Sequence, residues 1–424
     1  MRSLFIAICF FHTIIISLFF SYAVASPNAI ESTQRLNVLN NAIMFHINHA
    51  QDTERKTFFS EIDTNGNVLS LRIYTVALSR LIYSLSYASQ YDPLYLQHAK
   101  NATDFLVNNL IKEDKLGPYF LSFDDKNEVD SNDNLDIWQQ SYGLNGLVEL
   151  YRVTKNPELL TKIHTLHNAF VLRFRDTKHG GFFNNYSIKN GQLTGSKSIQ
   201  SLIYPISAYM ANLWEADISN RARYQNIIKE HLEIAVEKPI WNSQTGWINA
   251  NFDRQWNVCG QTNPTELCFS VSPGHNFQFS WLLMRTKNWP FINTIAQEKY
   301  VNLGERIADI TLNKPIWDKS VIGGFYQEVD PQTNKILSYS KSWWQHSEAI
   351  IALTFLPSSK QATLKNIEHF FVRYFVDFKE GGEYPSIDKN NDPIPTDPKG
   401  SKGKSSYHTV EAIRFLIENA KDVK

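Results

Sequence analysis

The sequence predicts an all-α fold of six helix pairs with short β-hairpins between the pairs, and three observations carry that prediction. The first is an internal repeat of paired aromatics after glycine, followed by an Asp or another polar residue and an Asn-rich turn. Six copies are present: Phe58-Phe59 with Asp63 and Asn65; Gly117-Pro118-Tyr119-Phe120 with Asp124 and Asn127; Gly180-Gly181-Phe182-Phe183 with Asn190-Gly191; Gly246-Trp247 with Asp253; Gly323-Gly324-Phe325-Tyr326 with Asp330; and Gly381-Gly382-Glu383-Tyr384 with Asp388 and Asn390. The first copy lacks the glycines. The second observation is spacing: the glycines at 117, 180, 246, 323 and 381 lie 63, 66, 77 and 58 residues apart, which leaves room for two helices between successive strand-turn units. The third is periodicity. Apolar residues recur at helical spacing from Ile137 to Val153, and Asn156-Pro157-Glu158 then opens a second run from Leu159 to Phe174. Helix pairs of this kind stack as an open solenoid or close into a ring. Six copies with no polar capping repeat at either end fit closure better.

The balance of 42 Lys+Arg against 42 Asp+Glu gives no electrostatic footprint for nucleic acid or another polyanion. At 43% apolar and 20% charged residues, the 424-residue chain is too apolar to be disordered and long enough to bury a large core. Residues 1–25 read as a cleavable secretory leader: Arg2 precedes an apolar run through Phe20, and Ala23-Val24-Ala25 supplies the small-residue cleavage pattern. An uncleaved anchor is the alternative, because the run is nearly long enough to span a bilayer. Cleavage after Ala25 leaves a near-neutral chain, 26–424, read as one domain, secreted or periplasmic, with no membrane attachment. No Pro/Gly/Ser-rich linker interrupts the repeats, and Asp388–Ser406, between the sixth hairpin and the last helix, reads as a long loop over one face.

Of three cysteines, Cys9 leaves with the leader, so Cys259 and Cys268 remain with eight residues between them. In an exported chain a disulfide is the natural reading, with two free thiols as the alternative. Closing so short a loop stabilises by roughly 2–3 kcal/mol in the chain-entropy model. The pairs His46/His49 and His164/His167 share helix faces, but neither has a nearby third ligand, and zinc sites need three or four. Asp63-Thr64-Asn65-Gly66-Asn67 begins like a calcium loop, yet its glycine is misplaced and Tyr74 stands at position twelve, so it reads as a hairpin turn. No cofactor and no metal follow from these patterns.

If the helix after each hairpin faces inward, polar residues near its start converge from six directions. They are Arg80; Tyr142; Tyr204; His275, Gln278 and Trp281; Trp344, His346 and Glu348; and His408 with Glu411. His275 and Gln278 share a helix face, as do Trp344 and Glu348.

Here the sequence resembles a known family. Pro273-Gly274-His275-Asn276-Phe277-Gln278-Phe279-Ser280-Trp281-Leu282-Leu283 is similar to the P-G-H-x-x-E-x-x-W-L-L motif of the N-acylglucosamine 2-epimerase superfamily, which includes cellobiose 2-epimerases and mannose or sulfoquinovose-type aldose-ketose isomerases. Lys341-Ser342-Trp343-Trp344-Gln345-His346-Ser347-Glu348-Ala349 resembles its K-x-W-W-x-Q-x-E-A segment, and Gly382-Glu383-Tyr384 and Tyr407-His408 resemble its G-E-W and Y-H pair. The likeness runs through nearly the whole mature chain. It implies an (α/α)6 barrel acting on a small mono- or disaccharide by proton abstraction beside the carbonyl and an enediol intermediate. By position, it implies His275 and His408 as the acid/base pair. Arg80 then polarises a substrate oxygen, Trp281 and Trp344 wall the sugar, and Glu348, Tyr204 and Gln278 bind it.

Two departures bear on activity. Gln278 stands where the family usually has Glu, and Tyr204 where its epimerase and isomerase branches often have His. Gln278 can hold His275 by a hydrogen bond but cannot stabilise an imidazolium as a carboxylate does. A tyrosine is a poor base. His346 stands where Gln is usual, and Thr409-Val410-Glu411 departs from the residues that habitually follow Y-H. Two other functions therefore stand beside the isomerase reading: a sugar-binding protein that has lost catalysis, and a glycan-cleaving enzyme on the same toroid. The second needs two carboxylates flanking a glycosidic bond, for which Asp133, Asp136 and Glu348 are the candidates. The sequence leaves the particular sugar and the oligomeric state open.

Overall fold

A computed structural model describes residues 27–123, 133–259 and 271–420. The expected leader, Asp124 and Asn127 of the second repeat, and Cys268 of the expected disulfide lie outside the described residues.

Among the described residues, twelve helices run along the chain, apart from short 3₁₀ turns. They are α1 (Pro27–His49), α2 (Thr75–Ala88), α3 (Pro93–Asn109), α4 (Ile137–Thr154), α5 (Pro157–Phe174), α6, α7 (Ala222–Glu237), α8 (Pro273–Met284), α9 (Thr294–Leu312), α10 (Trp343–Thr354), α11 (Gln361–Tyr374) and α12 (Tyr407–Ala420). Helix α6 begins as Ile199–Tyr204, widens into a π-helical segment at Pro205–Met210 and continues as Ala211–Ala216. The two helices read between the second and third repeats are α4 and α5. Asn156 caps α5 by accepting from the amides of Glu158 and Leu159, with Pro157 at the first helical position, where its missing N–H costs nothing.

Each even-numbered helix follows a hairpin and faces inward. Every residue of α2 is buried, because an inner helix meets neighbours on all sides. The outer α11 instead buries one stripe, Leu364, Ile367, Phe370 and Phe371. Inner helices approach closely where side chains are small. The Ser79 hydroxyl of α2 donates to the Gly143 carbonyl of α4 at 3.0 Å and accepts from the Gly146 amide at 2.9 Å. A Cβ at Gly146 would stand 2.3 Å from the Ser79 carbonyl oxygen. Gly146→Ala is therefore expected to lower stability by about 1–3 kcal/mol, readable from the denaturant midpoint.

Closure, which periodicity left open, is settled by the short strands. The residue or strand before each inner helix pairs antiparallel with the hairpin of the next unit: Ile73 with Phe123, Asn134–Asp136 with Asn185–Ser187, Lys197–Ser198 with Asn251–Phe252, Val271 with Val329, and Lys341–Ser342 with Ser386–Ile387. The sixth link joins Gly400 to Ile62 of the first unit through two backbone hydrogen bonds of 3.0 and 3.1 Å. The first repeat, weakest in sequence, is a genuine hairpin of Gln51–Asp52 with Thr57–Phe58. The ring closes among helices as well, with Tyr83 of α2 and Tyr407 of α12 packed edge to face at 4.9 Å.

Two devices fix the hairpins. Asp63, Asp253, Asp330 and Asp388 each accept hydrogen bonds from amides of the following turn, which explains the Asp and Asn signature and makes the calcium-like stretch a turn. Three buried ion pairs, Asp176–Lys197 (2.7 Å), Asp318–Lys341 (2.8 Å) and Asp377–Lys399 (2.7 Å), staple the end of an outer helix to the approach to the next inner helix. Among the described residues, no helix is long and apolar enough to cross a membrane.

Candidate active site

The six inner helices bring one circuit of side chains together. The Arg80 guanidinium of α2 lies 3.8 Å from the Tyr142 ring of α4, and Tyr142 packs at 5.4 Å on Tyr204 of α6. The Tyr204 hydroxyl reaches Nε2 of His275 on α8 at 3.5 Å. The His275 ring lies 5.2 Å from Trp344 of α10, and Trp344 lies 6.0 Å from His408 of α12. Tyr407, 4.9 Å from His408 and 5.2 Å from the Arg80 guanidinium, completes the circuit. A cavity of about 270 Å³ opens beside it, lined by Ile199, Ile248, Val271, His275, Gln327 and Trp344.

Local sequence explains this placement. Pro205 has no N–H to return to the turn before it, and α6 widens into its π-helical segment immediately after Tyr204. The Gly274 amide donates to the Gln345 side chain at 2.9 Å. A Cβ at Gly274 would fall 2.6 Å from Gln345 and 2.8 Å from Trp344, so only glycine lets α8 bring His275 against that indole. Arg80 donates from Nη1 to the Gly403 carbonyl, in the Asp388–Ser406 loop that the sequence placed over one face. Lys399 and Lys404 anchor that loop by ion pairs to Asp377 and Glu383.

A second layer lies beneath the circuit. Both oxygens of Glu348 are engaged, one accepting from Gln278 Nε2 at 3.1 Å and the other from Trp281 Nε1 at 2.6 Å. The first also lies 3.2 Å from Nδ1 of His408. This layer engages three of the residues expected to bind the sugar. Glu348 and Trp281 are buried beneath the circuit, where Trp281 packs on Phe415. Gln278 bonds Glu348 rather than His275 and leaves its own Oε1 without a partner. Trp344 is half-buried and lines the cavity.

Other candidates are structural. His346 stacks on Phe325 at 4.0 Å, accepts the Phe325 amide at 3.2 Å and bonds the Ser342 carbonyl at 2.7 Å, all inside the core. His164 bonds Asp217 and His167 bonds the Tyr209 hydroxyl. Burial, with Lys404 nearby, pushes His46 down to about 3. Asp136 caps α4 through the Gln139 amide.

Electrostatics favour uncharged imidazoles. Burial pushes His275 down to about 4, and burial with the Arg80 and Lys404 cations holds His408 well below the ordinary histidine range. Both are free bases at neutral pH. Burial, with Tyr142 beside it, raises the Tyr204 phenol, leaving it a neutral donor. Glu348, His408 and Glu411 each offer one ligand atom within 4.8 Å of the others, a spacing open to a cation. However, Glu348 already accepts two N–H donors and the Arg80 charge acts on both carboxyls, so this set suits a divalent ion poorly. The place of Glu411 in that layer, and of Gly403 on Arg80, were beyond the sequence reading: Glu411 stood among the convergent residues without a role, and Gly403 carried no signal.

A closed ring of helix hairpins, with two neutral imidazoles, a guanidinium and an indole in one circuit beside a small cavity, defines an (α/α)6 barrel with a buried polar site. The N-acylglucosamine 2-epimerase (GlcNAc 2-epimerase) family model matches residues 57–412. The chain belongs to this family of carbohydrate epimerases and isomerases. Among curated relatives, the cellobiose 2-epimerase of Ruminococcus albus is 22% identical over 367 residues, 80% of this chain and 86% of the relative. Among solved structures, a D-mannose isomerase superposes with a TM-score of 0.79 at 17% identity, covering 91% of this chain and 97% of the other. The cellobiose 2-epimerase of Bacillus thermoamylovorans B4167 gives 0.77 at 20% identity, covering 92% and 99%. These superpositions carry the fold.

Proposed function

We propose that the protein is a sugar 2-epimerase or aldose-ketose isomerase that works without a cofactor on a small neutral carbohydrate, with His275 and His408 moving the proton through an enediol. The observation that carries this reading is the pair of uncharged imidazoles packed on one indole, Trp344. One imidazole takes the C2 proton of the open-chain aldose. The C–H electron pair forms the C1–C2 double bond, and the carbonyl pair moves to O1, where it gains a proton. Arg80, whose Nε is without a partner, stabilises the developing oxyanion. Reprotonation at C2 from the other face with loss of the O1 proton gives the epimer, whereas protonation at C1 with loss of the O2 proton gives the ketose. Among the described residues, Glu328 and no Lys or Arg line the cavity itself, Arg80 lying in the circuit beside it, which favours a neutral sugar over a phosphorylated or sulfonated one. The N-terminal apolar run supports reading the chain as exported, and its two remaining cysteines as a disulfide.

Proton NMR in deuterated water tests this reading with mannose, glucose, N-acetylmannosamine and cellobiose. Solvent deuterium is expected at C1 or C2 of one sugar, and its incorporation is expected to fall in His275→Ala and His408→Ala. Binding of a sugar by calorimetry with no exchange would overturn it in favour of a binding protein. The acid limb of kcat/KM is a separate expectation. His275 is lowered to about 4, so it stays a base until pH falls through about 4, and activity should persist well below the ordinary histidine range. A limb near 6.5 would mean that a solvent-exposed histidine limits the rate instead.

A further inference from the structure

The cavity beside the circuit has two unlike linings. Among the described residues, Ser272, Gln327, Glu328 and Gln345 bring hydrogen-bonding groups, whereas Ile199, Ile248, Ala250 and Val271 are aliphatic. The aliphatic lining offers a hydroxyl little to bond, because its backbone is engaged internally. The Ile199 amide donates to the Ala250 carbonyl at 2.9 Å, the Ile248 amide donates to the Asn276 side chain at 3.0 Å, and Val271 exchanges both of its backbone bonds with Val329 at 3.2 Å. Ile199, Ile248 and Val271 are nearly closed to water, at 2%, 3% and 7% exposure. The polar lining differs in kind: Ser272 stands at the N-cap of α8 without capping it, and its hydroxyl has no partner among the described residues.

An aldohexose carries an oxygen at every carbon, so an aliphatic lining of this kind matches a group that an ordinary hexose lacks. Trp344 already supplies the flat apolar surface on which the C–H face of a sugar ring stacks. That leaves the aliphatic residues for the end of the molecule away from the reacting carbons. In a hexose this end is a hydroxymethyl group, and burying its hydroxyl without a partner is unfavourable. The cavity, about 270 Å³, lies at the lower end of the range for ligand pockets and suits one sugar unit. We propose that the cavity selects a 6-deoxyhexose. C1 and C2 lie at His275 and the circuit, hydroxyls further along the sugar meet Ser272, Gln327 and Glu328, and the C6 methyl packs on Ile199, Ile248, Ala250 and Val271. The proposal deepens the isomerase reading and rests on it for the orientation of the sugar.

Calorimetric binding to the full mature chain tests this with two matched sets: D-lyxose, D-mannose and 6-deoxy-D-mannose, and D-xylose, D-glucose and 6-deoxy-D-glucose. Each set keeps the configuration at C2 to C4 and places hydrogen, hydroxymethyl or methyl at C5. The 6-deoxy member is expected to bind tightest. It should exceed the hexose by about 10- to 100-fold, the discrimination an apolar pocket makes against an added hydroxyl. It should exceed the pentose by about fourfold, the gain from burying one methyl. Parity within the set that binds, tighter binding of the hexose or pentose, or failure of both sets to bind would overturn the proposal. Val271→Thr keeps size and β-branching but puts a hydroxyl in the aliphatic lining. It should reduce the preference for the 6-deoxy sugar over the hexose by about threefold or more, whereas a purely structural effect would weaken all three sugars alike. An unchanged preference in the folded variant counts against the proposal, and the parent's ranking decides where the variant does not fold. Deuterium exchange on the same sugars separates the two readings. The expected ranking in binding with no exchange would uphold the selectivity and reject the isomerase reading, and exchange on the hexose with no preference would do the reverse.

Discussion

Replacing His408 with asparagine is expected to reduce deuterium incorporation by about 10²- to 10⁴-fold, the range by which a positioned acid or base accelerates proton transfer. Asparagine keeps a polar group of similar reach against Trp343, Tyr407 and Glu348, so the core beneath should hold. The control is His346→Asn. His346 stacks between Phe325 and Phe370 with both ring nitrogens hydrogen-bonded to backbone, so this change should lower Tm while leaving the exchange rate per folded molecule near that of the wild type. Equal exchange by His408→Asn and the parent would remove His408 from the reaction. Equal loss in both variants would mean that packing alone is being measured.

The second large effect concerns stability. Asp377→Asn is expected to destabilise the protein by about 3–5 kcal/mol, because it leaves the Lys399 ammonium buried against Phe45 and Tyr384 with no counter-charge. Chemical denaturation of the variant and parent at neutral pH measures it. A cost below about 1 kcal/mol, typical of exposed pairs, would show that water reaches the site. The pH dependence has a defined sign. Burial alone would raise the Asp377 carboxyl, but Lys399, the Tyr384 hydroxyl and the amides of Glu380 and Lys379 together hold it at about 2, below its ordinary 3.8. Its contribution is therefore complete above about pH 4 and is lost as pH falls from there through about 2. The parent should weaken across that window more steeply than Asp377→Asn.

Much of this protein was legible before any coordinates. Hairpin and helix signals are local: glycine before an aromatic pair, Asp two to four residues ahead of the amides it caps, Pro after Asn at a helix start. For the same reason, the start of each inner helix could be found, and one residue near each of the six starts stands in the circuit of Arg80, Tyr142, Tyr204, His275, Trp344 and His408. What lies one turn deeper was not legible. Trp281, Gln278 and Glu348 carry the same helical spacing whether they meet a sugar or one another, and spacing does not say how far down the axis the cavity reaches. The Asp–Lys staples, 21 to 23 residues apart, were equally invisible, since neither residue type signals burial until a partner is seen.

The sequence by itself determined the family, the six-unit repeat, the inward-facing helices and the residues that ring the mouth, because each depends on short-range pattern. Only the tertiary structure decided that Gly400 meets Ile62 to close the ring, that His408 faces Glu348 while His346 is locked in the core, and that Glu411 shares the layer beneath. Those facts depend on contacts between residues tens to hundreds of positions apart, and on burial. The same imidazole or carboxyl can be a base or a packing group according to which charges surround it once water is excluded.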